Sequence, residues 1–157
     1  ISVNDQHHVV ASECGHSNFA AFDDDTVALS HYYIKQSGYC SIEHVLSGPG
    51  ISHIFQFFCD TGTYQSELPF NSDAATIAAA VNTDSAAKKT MQIFASIYGS
   101  VAGNLALTNL AYGGLYLTGG VAAKNSQLLQ TPAFINAFDH KGKMSRLMGA
   151  AVAASRL

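Results

Sequence analysis

The longest regular hydrophobic pattern in the chain lies between residues 84 and 110, a stretch without proline. Its repeating positions alternate in steps of four and three, and they are Ala87, Met91, Phe94, Tyr98, Val101, Leu105 and Thr108. This spacing predicts one long helix whose middle is buried. Gly99 and Gly103 lie inside it, where each glycine costs roughly 1 kcal/mol relative to alanine. We therefore expect another element to pack closely against the side that carries them.

Shorter helices are predicted from their start and stop signals. Acidic residues 23–25 open a helix that ends before Gly38, and Ser41 caps a short turn through Leu46. An amphipathic helix follows the Ser-Gly-Pro-Gly break at 47–50, and residues 61–71 are typical of a loop. Further helices are predicted from the cap at Ser72-Asp73 to Val81, from Thr131-Pro132 to Phe138, and over residues 148–157.

Two short strands are predicted. Residues 8–12 have a β-branched centre and carry Glu13-Cys14-Gly15-His16 at their end. Residues 115–118 lie between the pairs Gly113-Gly114 and Gly119-Gly120. The first pair can release the backbone from the preceding helix, and the second can let it approach a flat ligand at a strand's carboxyl end. Glycine pairs also simply end helices and strands, so both interpretations stay open.

Composition favours a single domain with a substantial core, because 48% of the 157 residues are hydrophobic and only 12% are charged. So little charge indicates that part of the surface is covered by another domain or subunit. A net charge of -3 with scattered Lys and Arg argues against nucleic-acid binding. No apolar run could span a bilayer and no signal peptide is recognisable, so we expect no membrane partner and a cytoplasmic protein. The chain begins with Ile1, and we expect it to be a piece of a longer protein.

The three cysteines, Cys14, Cys40 and Cys59, have no CxxC spacing and predict neither a disulfide framework nor a zinc knuckle. A metal could in principle be collected by His7, His8, Cys14 and His16. Scattered histidines at the start of a strand are the commoner arrangement, and structural zinc prefers tighter, paired spacing. We predict no metal site.

Three polar side chains are candidates for chemistry. Glu13 and His16 are three residues apart, and Glu43 lies in the capped turn before the Gly-Pro-Gly break. Carboxylates accept hydrogen bonds from hydroxyls, and a neutral imidazole accepts one and donates one, so the set suits a polyhydroxylated ligand such as a sugar. Alternatively, the first two cap a helix and Glu43 is a solvated acid. Paired carboxylates also suggest glycoside hydrolysis, which the sequence cannot test without their separation.

At these residues the chain resembles the bacterial glucokinase family, within the sugar kinase, actin and Hsp70-like ATPase group. The family's sugar-binding motif is matched by residues 13–20, Glu-Cys-Gly-His-Ser-Asn-Phe-Ala, and its second motif by residues 43–50, Glu-His-Val-Leu-Ser-Gly-Pro-Gly. The third appears as Gly-Asn-Leu-Ala-Leu at 103–107, followed by residues 113–121. A downstream Phe-x-x-x-Phe-x-x-Lys-Gly is matched by Phe134, Phe138, Lys141 and Gly142.

The resemblance implies an α/β fold of the ribonuclease H-like, actin-like ATPase kind, with the long helix packed on a short mixed sheet. Residues 1–157 would form the C-terminal large domain, and the general-base aspartate would lie in an absent N-terminal domain. Glu13, His16 and Glu43 would bind glucose hydroxyls, while Gly119, Gly120 and Val121 would border the adenosine of ATP, which acts with Mg²⁺. The resemblance also implies a homodimer, for which the long helix is a candidate contact.

Two departures from the family pattern stand out. Cys14 replaces a glycine, so the turn must tolerate a side chain there or the position has a negative φ. A strand and loop expected before the last helix are missing between Leu147 and Met148. We favour the interpretation that residues are missing from the sequence at this junction over a true deletion, because losing a buried strand would expose unpaired backbone groups.

The resemblance implies ATP-dependent phosphorylation of D-glucose to glucose 6-phosphate by the parent protein, with this fragment alone inactive. One alternative is a hexose kinase of the repressor and open-reading-frame kinase group. Those usually carry a cysteine-rich zinc segment after the histidine, and none follows His16. A second alternative is a non-catalytic sugar sensor, which would need an output domain.

Overall fold

The computed structural model describes residues 2–3, 6–7, 10–145 and 152–153, with side-chain environments from residue 10 to residue 145. Helices make up most of this part of the chain. They are α1 (Asp24–Ser37), α2 (Ile42–Val45), α3 (Gly48–Asp60), α4 (Ala74–Ala79), α5 (Ser85–Thr108), α6 (Gly120–Lys124) and α7 (Pro132–Asp139). Single 3-10 turns lie at Cys14–His16, Leu128–Gln130 and Gly142–Met144. The predicted helices between residues 23 and 138 are confirmed, and the α3 helix begins within the Gly-Pro-Gly segment.

Strands are short in the described residues and form two separate pairs. The β1 strand (Ser2–Val3) pairs antiparallel with β2 (Gln6–His7), and β3 (Leu115–Tyr116) pairs parallel with β4 (Val152–Ala153). The fold is therefore mostly helical with little sheet. The predicted strand at 115–118 is confirmed at its first two residues, but it is not buried, since Tyr116 is 65% exposed.

The strand predicted over residues 8–12 is wrong at residues 10–12, which have no regular structure and are exposed. The Ser12 hydroxyl there accepts a hydrogen bond from the Cys14 backbone N–H at 3.2 Å. Such local side-chain bonds compete with strand pairing. His8 and Val9 lie outside the described residues.

The helix predicted over residues 148–157 is also wrong where the structure describes it. Val152 and Ala153 form β4, in register with Leu115 and Tyr116. Small side chains suggested a helix, but a β-branched residue beside a neighbouring strand gains more from pairing. Residues 148–151 and 154–157 lie outside the described residues.

The α5 helix confirms the long helix predicted from the hydrophobic pattern. Its N-terminus is capped by Asp84, whose side chain accepts from the Ala87 N–H at 2.8 Å. At its C-terminus Ala111 N–H bonds the Ala106 carbonyl at 3.0 Å and Leu110 N–H bonds Leu107 at 3.2 Å. This is a Schellman motif with Leu110 in the left-handed position at φ 45°. The helix therefore ends before Gly113-Gly114, and Leu110 rather than this glycine pair releases the backbone from it.

The two glycines of α5 allow α7 to lie directly against the helix backbone. A Cβ added at Gly99 would overlap the carbonyl group of Phe134. One added at Gly103 would lie 2.6 Å from the Phe138 carbonyl oxygen. Both positions are too close to the α7 backbone for a side chain. The expectation of a closely packed element is therefore confirmed, and that element is α7.

Two hydrophobic clusters meet along α5. The larger one joins α1, α3 and α4 to the N-terminal half of α5, around Leu29, Phe55 and Phe94. The smaller one joins the C-terminal half of α5 to α7, around Phe134 and Phe138. The apolar face of α5 is thus covered from within this chain, which weakens its candidacy as a dimer contact. Among the described residues, no helix combines the length and apolar character needed to cross a membrane.

We predict that Gly99→Ala destabilises the full-length protein although alanine is the better helix former. The added methyl meets backbone that cannot rotate away, so the free energy of unfolding should fall by about 2–3 kcal/mol. Chemical denaturation measures this change. Gln92→Ala, at an exposed position of the same helix, is the control and should change stability by less than about 0.5 kcal/mol. A stabilised Gly99→Ala variant would contradict the close packing.

We predict that Asp84 makes stability depend on acid pH. Burial alone would raise the pKa of Asp84, but hydrogen bonds from Ser66, Ala87 and Glu67 hold this pKa below its ordinary value. The carboxylate therefore stabilises the fold above about pH 4, the unfolded value, and this contribution is lost as pH falls through the folded pKa.

Asp84→Ala should cost about 1–2 kcal/mol at pH 7, as the loss of a helix cap does. Asp84→Asn is the matched control, since it keeps an acceptor oxygen for Ala87 but cannot ionise. Denaturation curves from pH 3 to 7 should show a smaller loss for Asn and a flatter acid limb in both variants. An unchanged acid limb would rule out this role for Asp84.

Candidate functional site

Two turns that are distant in sequence are joined by backbone hydrogen bonds. The Phe19 N–H donates to the Cys40 carbonyl at 2.8 Å, and the Ile42 N–H donates to the Ser17 carbonyl at 3.0 Å. These bonds form an isolated antiparallel bridge between Asn18 and Ser41. The bridge holds the 3-10 turn Cys14–His16 beside the start of α2.

The bridge brings the side chains of Glu13, His16 and Glu43 together. His16 Nε2 lies 3.3 Å from Glu43 Oε2 and 3.8 Å from Glu13 Oε2. His16 directly precedes Ser17, and Glu43 directly follows Ile42, so the antiparallel pairing sets them opposite each other. The structure therefore assembles the three residues that the sequence singled out. Glu13 directly precedes the 3-10 turn, but its side chain makes no capping hydrogen bond to that turn.

The three side chains lie on an open surface rather than in a closed cleft. Their exposed fractions are 90% for Glu13, 68% for His16 and 57% for Glu43. Carboxylate oxygens and an imidazole nitrogen at this spacing can accept and donate several hydrogen bonds to one polar ligand. Exposed polar groups attract each other weakly in water, so these contacts contribute little stability by themselves.

The Cys14–His16 turn tolerates the cysteine that replaces a glycine. Cys14 does not have a positive φ, and its side chain is exposed. The Ser17 hydroxyl donates a hydrogen bond to the Cys14 carbonyl oxygen at 2.7 Å. The negative-φ alternative considered for this position is therefore confirmed. All three cysteines are free thiols in the structure.

A capping interaction at α2 was missed from the sequence. Ser41 was recognised as the cap, but its partner is His44, whose Nδ1 lies 3.1 Å from the Ser41 backbone nitrogen. Glu or Gln is the usual residue at this position of a capping box. The Ser-x-x-His spacing was the available signal. This helix carries Glu43, so its cap belongs to the site.

The turn after β3 has a backbone conformation that favours glycine. Gly119 has a φ of 94° and caps α6, and both Gly119 and Gly120 are exposed. No atom lies within 4 Å of a Cβ built on either residue, so the turn is open to solvent. Val121 packs partly against the larger hydrophobic cluster.

Two of the cavities in the described part of the molecule lie away from Glu13, His16 and Glu43, which line neither. One of about 580 Å³ lies between the N-terminal ends of α1 and α5, where Lys89 pairs with Asp25 at 2.6 Å. The other, of about 560 Å³, lies between α5 and α7 beside Lys141, whose pKa is lowered by burial. Among the described residues no group of three or more His, Cys, Asp or Glu side chains is arranged to hold a metal ion.

Comparisons with known proteins point to one family. A sequence model of the glucokinase family matches residues 1–153. Glucokinase from Nostoc punctiforme is 33% identical over an alignment that covers 94% of this chain and 50% of the relative. Glucokinase from a Synechocystis strain is 36% identical, with coverage of 92% and 46%.

Solved structures agree with the sequence matches. A glucokinase from an Antarctic psychrotroph superposes with a TM-score of 0.81 at 32% identity, covering 94% of this chain and 47% of that one. Glucokinase from Balamuthia mandrillaris, solved in complex with glucose, gives a TM-score of 0.77 at 21% identity and shows the fold alone, covering 92% and 42%. The chain belongs to the glucokinase family. It spans about half the length of the relatives it matches.

We predict that Ile42→Pro separates His16 from Glu43 while leaving α2 intact. Ile42 is the first residue of α2 and follows the extended Ser41, which is the place where helices accept proline. Proline removes only the N–H that bonds Ser17. Nuclear Overhauser effects between the His16 ring and the Glu43 methylenes should weaken in the full-length variant. Ile42→Ala keeps the N–H and should retain them; equal loss in both variants would show that the bridge does not set this contact.

Proposed function

We propose that the protein of which this chain is a part transfers the γ-phosphoryl group of ATP to the 6-hydroxyl of D-glucose. The observation that carries the proposal is the convergence of Glu13, His16 and Glu43, from two turns, on one surface site in a member of the glucokinase family. Glucokinase relatives at 33% and 36% identity support the choice of sugar.

Under this proposal the three residues hold the sugar and do not take its proton. Each carboxylate accepts hydrogen bonds from neighbouring hydroxyls, and His16 lies between them with one ring nitrogen turned to both. Phosphoryl transfer depends on positioning and charge stabilisation, so a fixed sugar orientation serves the reaction directly. The general base is expected to be an aspartate in the other half of the protein.

Gly119, Gly120 and Val121 are proposed to border the adenosine of ATP. The exposed turn and the positive φ of Gly119 support this, because a flat ligand can approach backbone that has no side chain. The ATP substrate carries Mg²⁺ on its phosphates. No described cluster of ligating side chains would hold the ion unaided, so we expect it to arrive with the nucleotide.

We also propose for this protein the domain organisation, dimer and location that the family resemblance implies. We infer that the chain is the C-terminal large domain, that its strands belong to a ribonuclease H-like sheet, and that residues are missing between Leu147 and Met148. The parallel pairing of β3 with β4 is consistent with such a sheet. We also propose a homodimer in the cytoplasm, where ATP is available. Exposed Leu110, Tyr112 and Tyr116 offer apolar surface for a contact.

Glucose-dependent release of ADP by the full-length protein tests the function. Phosphorylation of glucose in preference to other hexoses would support it. Preference for another hexose would favour the repressor and open-reading-frame kinase group. Sugar binding without ADP release would favour a sensor, and absence of both would end the proposal.

We predict that Glu43→Gln and Glu13→Gln weaken glucose binding. Each removes a charged acceptor, which contributes about 1.5–3 kcal/mol to a hydrogen bond and hence roughly ten- to hundredfold in Kd. Isothermal titration calorimetry of the full-length protein measures the affinity. Glu67→Gln is the matched control, since Glu67 is an exposed carboxylate in the loop 61–71 and should bind glucose normally. Normal affinity in both site variants would show that these carboxylates do not hold the sugar.

A further inference from the structure

Glu43 is carried by a helix too short to hold its shape alone. The α2 helix has 4 residues, and isolated helices of this length do not form in water. Its first backbone donor, Ser41 N–H, lies in a residue that is 4% exposed and is bound by His44 Nδ1 at 3.1 Å. A backbone N–H can only donate, so Nδ1 must be an acceptor. This hydrogen bond therefore requires a neutral His44 ring with its proton on Nε2.

The other end of the same helix is held by a second histidine. His53 Nδ1, on α3, lies 2.9 Å from the His44 carbonyl oxygen. A carbonyl can only accept, so His53 must carry a proton on Nδ1. The Tyr33 hydroxyl in turn donates to the His53 carbonyl at 2.9 Å. The two histidines thus have opposite tautomers and fix the backbone on both sides of Glu43.

We propose that neutral His44 is a positioning residue that holds Glu43 in its sugar-binding orientation, and that protonation of His44 weakens glucose binding as the solution is acidified. A proton on Nδ1 turns the acceptor into a donor, which can bond the Ser41 hydroxyl oxygen, also 3.1 Å away, but no longer the Ser41 N–H. The buried N–H loses its partner, and the turn that carries Glu43 must rearrange. This inference rests on the proposed function, because it assigns His44 through the role of Glu43.

The groups around the His44 ring allow this protonation to act as a switch. The described neighbours are Tyr33, whose ring stacks on it with centroids 6.0 Å apart, Tyr39 at 4.9 Å and His53 at 6.5 Å. Burial raises the pKa of Tyr33, so this residue stays neutral throughout the range where imidazoles titrate. Glu43, next in the chain, is the nearby carboxylate, and its sugar-facing side chain pairs with His16.

The direction of the pH effect follows from the acceptor role. The hydrogen bond exists only while Nδ1 of His44 is unprotonated, so acidification can remove it and cannot create it. Protonation of His53 at its other nitrogen leaves the Nδ1 donor in place. Protonation of His16 adds a positive charge between two carboxylates, and this change persists in variants of His44. The contribution of His44 can therefore be separated by substitution.

The test compares His44→Gln with His44→Leu in the full-length protein. Glutamine is a usual capping-box acceptor and does not titrate, whereas leucine has no acceptor. Calorimetry of glucose binding from pH 5.5 to 8 should show wild-type affinity falling several-fold at the acid end. The Gln variant should match wild type at pH 8 and lose most of the acid weakening. The Leu variant should bind roughly tenfold more weakly throughout, with kcat at saturating glucose nearly unchanged.

Imidazole nitrogen NMR provides a readout independent of activity. At pH 8 the Nδ1 of His44 should show the shift of an unprotonated nitrogen, and that of His53 the shift of a protonated one. A protonated Nδ1 on His44 at pH 8 would overturn the proposal, as would a Gln variant that keeps the full acid weakening. If Leu prevents folding, the Gln variant decides alone.

The outcomes separate this inference from the proposed function. Wild type that binds glucose, with Glu43→Gln weakened and both His44 variants unchanged, would overturn the role of His44 and leave the sugar site standing. Wild type that binds no glucose at any pH would overturn both. Loss of acid weakening in His44→Gln alone supports the inference, because no other titratable group changes in that variant.

Discussion

Two backbone hydrogen bonds, between Ser17 and Ile42 and between Phe19 and Cys40, set the geometry of the whole candidate site. They lie beside buried side chains, since Phe19 is 7% exposed and Cys40 is 4% exposed. Breaking them would leave polar backbone groups next to the hydrophobic core, which costs more than the bonds contribute in water. A one-residue slip in their register would turn Glu43 away from His16. The site is therefore positioned by main-chain pairing, and its exposed side chains need not stabilise it.

The α5 helix supplies the rigid platform on which this pairing rests. Its 24 residues span roughly 36 Å at the rise of an α-helix. One half packs under α3, which follows the Glu43 turn, and the other half lies under α7. Gly99 and Gly103 let the α7 backbone make direct contact, so this packing depends on shape that any side chain would destroy. Such contacts fix relative positions more strictly than a layer of adaptable side chains.

Local signals in the sequence were enough to predict most of the helices. The caps at Ser41, Asp73, Asp84 and Thr131 use short-range chemistry, and each side chain bonds a backbone N–H of the helix it opens. The strand predicted over residues 8–12 was wrong at residues 10–12, because the partner that a strand needs cannot be inferred from a local pattern. The end of α5 was predicted near residue 110 and lies at Thr108, but the residue that ends the helix was wrong, because Leu110 adopts the left-handed position where glycine is expected. The ribonuclease H-like arrangement of the sheet stays a prediction.

The site residues were found through motifs, but their contact could not be derived from the same information. The bond that aligns them joins the N–H of Ile42 to the carbonyl of Ser17, and backbone atoms are the same in every sequence. The side chains of Ile42 and Ser17 therefore give no signal of this hydrogen bond. Ser41 and His44 are the exception, because a capping box needs particular side chains three residues apart. The sequence signal for this capping box was a histidine at the position where Glu or Gln is usual.

The exposure of the site has a consequence for how it can bind a sugar. Glu13, His16 and Glu43 all face solvent over more than half of their surface. A hydrogen bond that merely replaces one to water contributes only about 1 kcal/mol. A hydroxyl ligand bound to these three side chains alone would therefore bind weakly. Strong binding needs a second wall that excludes water and raises the value of each charged acceptor. Under the proposed function, that wall comes from the half of the protein beyond this chain, and its closure turns an open carboxylate–imidazole surface into a selective site.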